Sequence, residues 1–156
     1  MRYSACLRLR VTNLTRQTEL GDSIDLADTS AKRRTGLLKH ERLAAGEGMW
    51  IVPCASVHTF FMKFPIDLVY VGKDRRVRKV RHAVKPWRMS ACLMAHSILE
   101  LPAGAAEKSG TQAGDELGVG SLAHQPARSM WGRLATCGRL GIGLSPRPTY
   151  FQVALL

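Results

Sequence analysis

Two pairs of side chains able to do nucleophilic or metal chemistry recur at one spacing, Cys54 with His58 and Cys92 with His96. A cysteine near a histidine supplies either a nucleophile with its base or half of a metal site. On a helix, four residues bring such side chains to about 6 Å. On a strand they stand about 13 Å apart, and the residues around Cys54 are β-type. A zinc site drawn from all four would lack the tight cysteine spacing of structural zinc motifs. The expectation is therefore buried thiols and ordinary imidazoles, with no metal and no cofactor.

A second group is His58-Thr59-Phe60-Phe61-Met62-Lys63-Phe64-Pro65-Ile66-Asp67, where polar groups alternate with large apolar ones. Such mixtures occur where a pocket wall meets solvent. Asp67 heads the apolar run Leu68–Val71 and needs a partner, for which Lys63 or a backbone N–H is available. Glu100 is a lone carboxylate in Ile98-Leu99-Glu100-Leu101. It must be paired, protonated or facing a cavity, the last two raising an acid's pKa, unless the strand's outer face simply meets water. His58, Thr59, Met62, Lys63, Asp67 and Glu100 together define the expected binding cleft.

A third group is cationic. Residues 73 to 88 hold Lys73, Arg75, Arg76, Arg78, Lys79, Arg81, Lys85 and Arg88, with Trp87 as the one Phe, Tyr or Trp. Arg75, Arg76, Arg78, Lys79 and Arg81 are the anion-binding candidates, since closely spaced cations can track phosphates. A single aromatic is few for a base-stacking platform, and a solvated, charge-protected hairpin is the competing reading.

The elements that would position these groups follow from periodicity and turn signals. Leu7–Thr12 alternates as a strand, and Ser23–Leu26 continues a sheet after Gly21-Asp22. Thr29 or Ser30 caps a helix running through Ala31 to about Leu38, with Leu37, Leu38 and Leu43 supplying its buried side. Met49–Val52 and Val57–Met62 read as β-type runs. Ile66–Val71, the turn Gly72-Lys73-Asp74 and Val77–Val84 form a hairpin. Ala95–Leu101 is a strand with Ile98 and Glu100 on one face, Ala103–Ser109 a short helix closed by Gly110, and Glu116–Val119 the last strand.

The chain has 156 residues, 46% of them hydrophobic and 22% charged, so it can bury a core without disulfides or metal. Its 23 Lys and Arg against 12 Asp and Glu give a formal net charge of +11. That field attracts nucleic acid, acidic protein faces or lipid headgroups alike. No apolar run is long enough to span a bilayer and the N-terminus lacks a secretory apolar segment, which points to a cytoplasmic protein with reduced cysteines. From Gly120 onward the chain is basic and rich in Gly and Pro, with Gly132-Arg133-Leu134 echoed by Gly138-Arg139-Leu140. Residues 7–119 are expected to form the folded domain and 120–156 a partly irregular tail.

Several motifs carry a resemblance. Leu26-Ala27-Asp28-Thr29 with Arg33-x-x-Gly36-Leu37-Leu38, then Gly48-Met49-Trp50-Ile51-Val52-Pro53-Cys54, then His58 through Asp67 follow one another in order. Pro86-Trp87-Arg88, Leu99-Glu100-Leu101-Pro102-Ala103-Gly104 and Gly114-Asp115 complete the series. Over residues 20–119 the chain resembles the bacterial and archaeal family called domain of unknown function 192. The resemblance implies an α+β fold, a compact β-rich, partly barrel-like sheet with short flanking helices. It implies no known activity, cofactor or catalytic residue, and a loose association with pilus or secretion assembly.

The leading functional expectation is a noncatalytic ligand- or protein-binding accessory module using the cleft named above. The alternatives are a hydrolase- or transferase-type enzyme with His58 as base and Asp67 or Glu100 as the carboxylate, and a binder of anionic partners through the basic hairpin.

Overall fold

In a computed structural model, the structure describes residues 8–121. Nine strands and two short helices follow in the order β1 (Arg8–Asn13), β2 (Thr18–Ala27), α1 (Ser30–Thr35), β3 (Glu47–Ile51), β4 (Ser56–His58), β5 (Ile66–Val71), β6 (Val77–Val84), β7 (Met89–Ala91), β8 (Ser97–Pro102), α2 (Ala105–Lys108) and β9 (Leu117–Ser121). Seven strands form one sheet in the order β6-β5-β8-β3-β2-β1-β9, and β4 pairs with β7 in a separate ribbon. Only β2 and β3 run parallel, joined through α1; the other pairs are antiparallel.

The sheet curls into a half barrel. Its two edge strands meet at an isolated bridge between Arg76 and Glu116, and Val77 N–H donates to Asp115 O at 2.8 Å. One apolar cluster, with Val11, Ile24, Trp50, Val69, Val77, Leu99 and Leu117 among its members, draws on all seven strands, as the inside of a curled sheet must. The second cluster, including Leu37, Met49, Ile51, Met62, Leu68, Tyr70 and Ile98, covers the opposite face. Both faces being covered, every residue of β5 is buried and so are the first five of β8, the pattern of a sheet interior.

The predicted hairpin is β5 and β6, with one added feature. Ile66 pairs with Val84 but Leu68 pairs with Arg81, so β6 carries an extra residue and bulges there. β2 begins five residues earlier than the sequence pattern suggests, because Thr18–Asp22 pairs with β1 although Gly21-Asp22 reads locally as a turn. The helix after Thr29 is shorter than expected and buries none of its residues; Leu37 beyond its end is buried while Leu38 is exposed. Thr29 is the cap, its hydroxyl accepting from Lys32 N–H. The run Val57–Met62 is a strand only as far as His58. After it the chain turns, with Phe61 at φ 64°. β7 was not expected. The second helix spans Ala105–Lys108, and Gly110 at φ 66° follows its end in the left-handed conformation anticipated for it. The expectations for Cys6, Cys137 and the basic tail beyond residue 121 lie outside the described residues. No helix among those described is long and apolar enough to cross a membrane.

Candidate functional site

β5 and β8 lie side by side as interior strands of the sheet, and each carries one carboxylate. Asp67 pairs across with Leu101, whereas Glu100 pairs with Leu68, so alternation sends the two carboxylates to opposite faces. They meet burial in opposite ways.

Asp67 is fully buried and fully partnered. Its Oδ1 accepts from Ala83 N–H at 2.8 Å, in the β6 bulge, and its Oδ2 accepts from Ala106 N–H at 2.9 Å, in the first turn of α2. His82 Nδ1 approaches the same carboxylate at 4.0 Å. The partner the sequence required is thus backbone N–H, not Lys63, which forms an ion pair with Glu41. Two charge-assisted hydrogen bonds offset the desolvation of the carboxylate, and Asp67 binds the sheet edge to α2.

Glu100 is 5% exposed and has no hydrogen-bond or ion-pair partner among the described residues. Met49 on β3 and Leu68 on β5 flank it across the sheet. Burial pushes its carboxyl up to about 7. It forms part of the wall of a cavity of about 470 Å³, together with Arg33, Leu37, Cys54, His58 and Met62. Further along the same face, Tyr70 is buried with its hydroxyl unbonded beside Ser90 of the ribbon, and burial raises its pKa also.

Three segments supply the rest of the wall. α1 and the chain just after it bring Arg33, Arg34 and Leu37. The Arg33 guanidinium donates to Asp28 O at 2.7 Å, Val52 O at 3.1 Å and Ser30 Oγ at 3.1 Å, tacking the helix to the end of β3. The chain leaves β3 through a cis Val52–Pro53 peptide and places Cys54 in the wall. The Cys54 thiol donates to Ser56 O at 3.0 Å. Burial raises its pKa, the Ser56 backbone opposes this, Glu100 adds to the rise and Arg33 works against it. The sulfur therefore stays a thiol near neutral pH, and thiols are poor nucleophiles. β4 ends the wall at His58, whose ring stacks on Phe60 at 5.1 Å between centroids.

Of the six residues expected to share a cleft, the structure brings together His58, Met62 and Glu100. Asp67 lies on the other face. Thr59 is buried in a loop junction instead, its hydroxyl donating to Lys85 O at 2.8 Å and accepting from Arg88 N–H at 2.9 Å. Lys63 is outside the cavity, on the surface. Missed from the cleft were Arg33, Leu37, Pro53 and Cys54, all of which stand in the motif text that carried the family resemblance. The cationic candidates are spread out: Arg76 bonds to Glu116 and Gly114 O, Arg78 to Asp74, and Lys79 to Ala91 O, while Arg75 holds a positive φ in the turn and Arg81 is exposed. No three His, Cys, Asp or Glu side chains among the described residues gather closely enough to hold a metal ion.

Comparison with known proteins gives relatives of the same kind. A UPF0127 protein of Pyrococcus horikoshii is 31% identical over 114 residues, which cover 69% of this chain and 96% of that protein. A UPF0127 protein of Thermococcus sibiricus is 31% identical over 100 residues, covering 60% of this chain and 64% of the relative's length. Among solved structures, a protein of unknown function from Novosphingobium aromaticivorans superposes with a TM-score of 0.63 at 25% identity, over 76% of this chain and 89% of that one. A Sinorhizobium meliloti protein named as a candidate transcription regulator gives 0.64 at 22% identity, over 74% and 94%, and shows the fold alone. The family model for domain of unknown function 192, described as an uncharacterised ACR, matches residues 11–119, nearly the whole of the described sheet, and the chain belongs to that family.

Proposed function

We propose that the protein is a binding module whose ligand occupies the Glu100 cavity. The observation that carries this reading is the Glu100 carboxyl, unpartnered among the described residues and open to the cavity although the residue is only 5% exposed. A carboxyl that faces a cavity without a protein partner leaves its hydrogen-bonding capacity for a molecule in that cavity. The ligand is a small organic molecule that places an amine, amide or hydroxyl donor on Glu100 and an apolar body against Leu37, Ile51 and Met62. A volume of about 470 Å³ is within the range of small-molecule sites.

A protein-observed NMR screen with small amines, amides and alcohols tests it. Binders should perturb the amides of Cys54, His58 and Glu100, and Glu100→Leu should weaken them by about tenfold or more, the cost of one lost charge-assisted hydrogen bond. Binders that ignore Glu100→Leu, or a screen with none at the cavity, would remove the proposal.

A second reading is acid–base catalysis, favoured by His58 and Glu100 lining one cavity and by a carboxyl near 7, where proton transfer at neutral pH is most effective. The thiol state of Cys54 leaves that reading without an activated nucleophile. Turnover of any bound fragment, lost in both His58→Ala and Glu100→Gln, would establish it over simple binding.

A further inference from the structure

Five large apolar side chains stand in solvent on neighbouring segments: Phe61 is 70% exposed, Trp87 56%, Met89 73%, Leu93 95% and Met94 74%. The β4–β7 ribbon organises them. His58 lies opposite Met89 and Ser56 opposite Ala91, and these four are exposed, while Val57 and Ser90 between them turn inward. At one end of the ribbon Phe60, Phe61 and Trp87 gather, with ring centroids 5.6 Å apart for Phe60–Trp87 and 4.8 Å for Phe61–Trp87. At the other end a turn closed by Ala95 N–H to Cys92 O carries Leu93 and Met94.

A grouped apolar surface of this kind marks a partner site. Its charge and shape say which. Residues 56–65 and 79–97 contain no Asp or Glu; Lys63 is paired with Glu41, which leaves Lys79, Arg81, Lys85 and Arg88 as the cations of the face, and the Lys79 amine reaches the ribbon at Ala91 O, 3.0 Å away. The partner is therefore anionic. The turn at its end projects into solvent, with Leu93 95% exposed. Nucleic acid would stack on aromatic faces and gain little from Leu93, Met94 and Met89. A lipid surface uses all three features, with aromatic rings at headgroup depth, aliphatic tips beneath them and cations against anionic headgroups.

We propose that the outer face of the β4–β7 ribbon docks on an anionic lipid surface, with Phe61, Trp87, Met89, Leu93 and Met94 entering it and Lys85 and Arg88 meeting the headgroups. His58 belongs both to this face and to the Glu100 cavity, so docking sets the cavity's rim beside the lipid. The docking does not depend on the cavity holding a ligand.

The test uses the full chain with vesicles of phosphatidylcholine alone and of phosphatidylcholine with phosphatidylglycerol. Wild type should bind the anionic vesicles, and brominated acyl chains should quench a part of the tryptophan emission that is absent in Trp87→Phe. The combined variant Phe61→Ser, Trp87→Ser, Leu93→Ser changes only exposed positions, and with an unchanged thermal melt it should bind about tenfold more weakly or worse at equal salt. No vesicle binding, no quenching of Trp87, or equal binding by the combined variant would overturn the proposal. Loss of single-stranded RNA affinity in that variant, with vesicle binding intact, would overturn it in favour of a nucleic acid.

Discussion

At the scale of single residues, Glu100 has consequences that reach beyond its own cavity. Its carboxyl rises from an ordinary 4.5 to about 7 on folding, so the folded state holds a proton that the unfolded chain has released. The sign follows: the protein is most stable below about 4.5 with respect to this group, and stability falls as pH rises from there through 7. Fully ionised, the buried carboxylate costs about 3 kcal/mol. The groups around it are Arg33, Arg34, Cys54 and His58 in the cavity wall, with Met49 and Leu68 on the adjacent strands. Glu100→Gln should remove that dependence. Thermal melts at pH 5 and pH 8.5 should show the variant gaining on wild type by an amount near that figure at the higher pH and by little at the lower. Parallel curves would mean that the carboxyl is solvated or paired. The sequence already confined Glu100 to being paired, protonated or facing a cavity, or else lying on an outer face. It could not choose, because that depends on what lies over β8, and the covering residues Leu37, Cys54 and Met62 come from segments far away in sequence.

At the scale of elements, two buried groups act as fasteners. Asp67 joins three elements by accepting from the β6 bulge and from α2. Asp67→Ala leaves the buried Ala106 N–H and the part-buried Ala83 N–H without their acceptor and should cost about 1–3 kcal/mol in denaturant unfolding, while leaving fragment binding at Glu100 intact because it lies on the other face. Weakened binding with unchanged stability would contradict that assignment. Thr59 fastens the loop of residues 85–88 to the turn after β4, exchanging hydrogen bonds with Lys85, Trp87 and Arg88. Thr59→Val keeps the shape and loses the hydroxyl, so limited proteolysis should cut near residues 85–88 several-fold faster, at a global cost of about 1–2 kcal/mol. Unchanged cleavage would show that the loop is held elsewhere. The β5–β6 hairpin was legible because the apolar run Ile66–Val71 and a glycine turn agree locally. β7 was not, since Met-Ser-Ala has no β-type residue and its pairing with β4 is the whole reason it is extended. Placing Asp67 and Glu100 on opposite faces likewise needed the β5–β8 register, which no local pattern contains.

For the whole molecule, the feature that matters is how the half barrel is closed. Beside the bridge between β6 and the start of β9, Asp115 accepts from Asn13 Nδ2 at 2.9 Å, from Gln112 N–H at 2.9 Å and from Arg16 Nε at 2.8 Å. Burial alone would raise the Asp115 carboxyl, but those hydrogen bonds and the Arg16 charge outweigh it and hold it below the usual carboxylate value. Its stabilisation is therefore complete above about 3.8 and is lost as pH falls through the lowered value. Asp115→Asn should flatten that acid limb and destabilise at neutral pH by about 2–3 kcal/mol, read from urea unfolding at pH 3 and pH 7. An acid limb identical to wild type would place the dependence on another carboxylate. With Glu100 acting from the alkaline side, the most stable pH range lies below 7. The strand-rich, curled architecture was implied by the family resemblance. The exposed apolar ribbon was not legible, because Phe61 and Trp87 lie far apart in sequence and only the β4–β7 pairing brings them together.

The most direct test of the Glu100 cavity is the titration of that one carboxyl by carbon-detected NMR, assigned with Glu100→Gln. A midpoint near 7, displaced by a cavity-binding fragment, is the expected result. A midpoint near 4.5 that no fragment moves would contradict it.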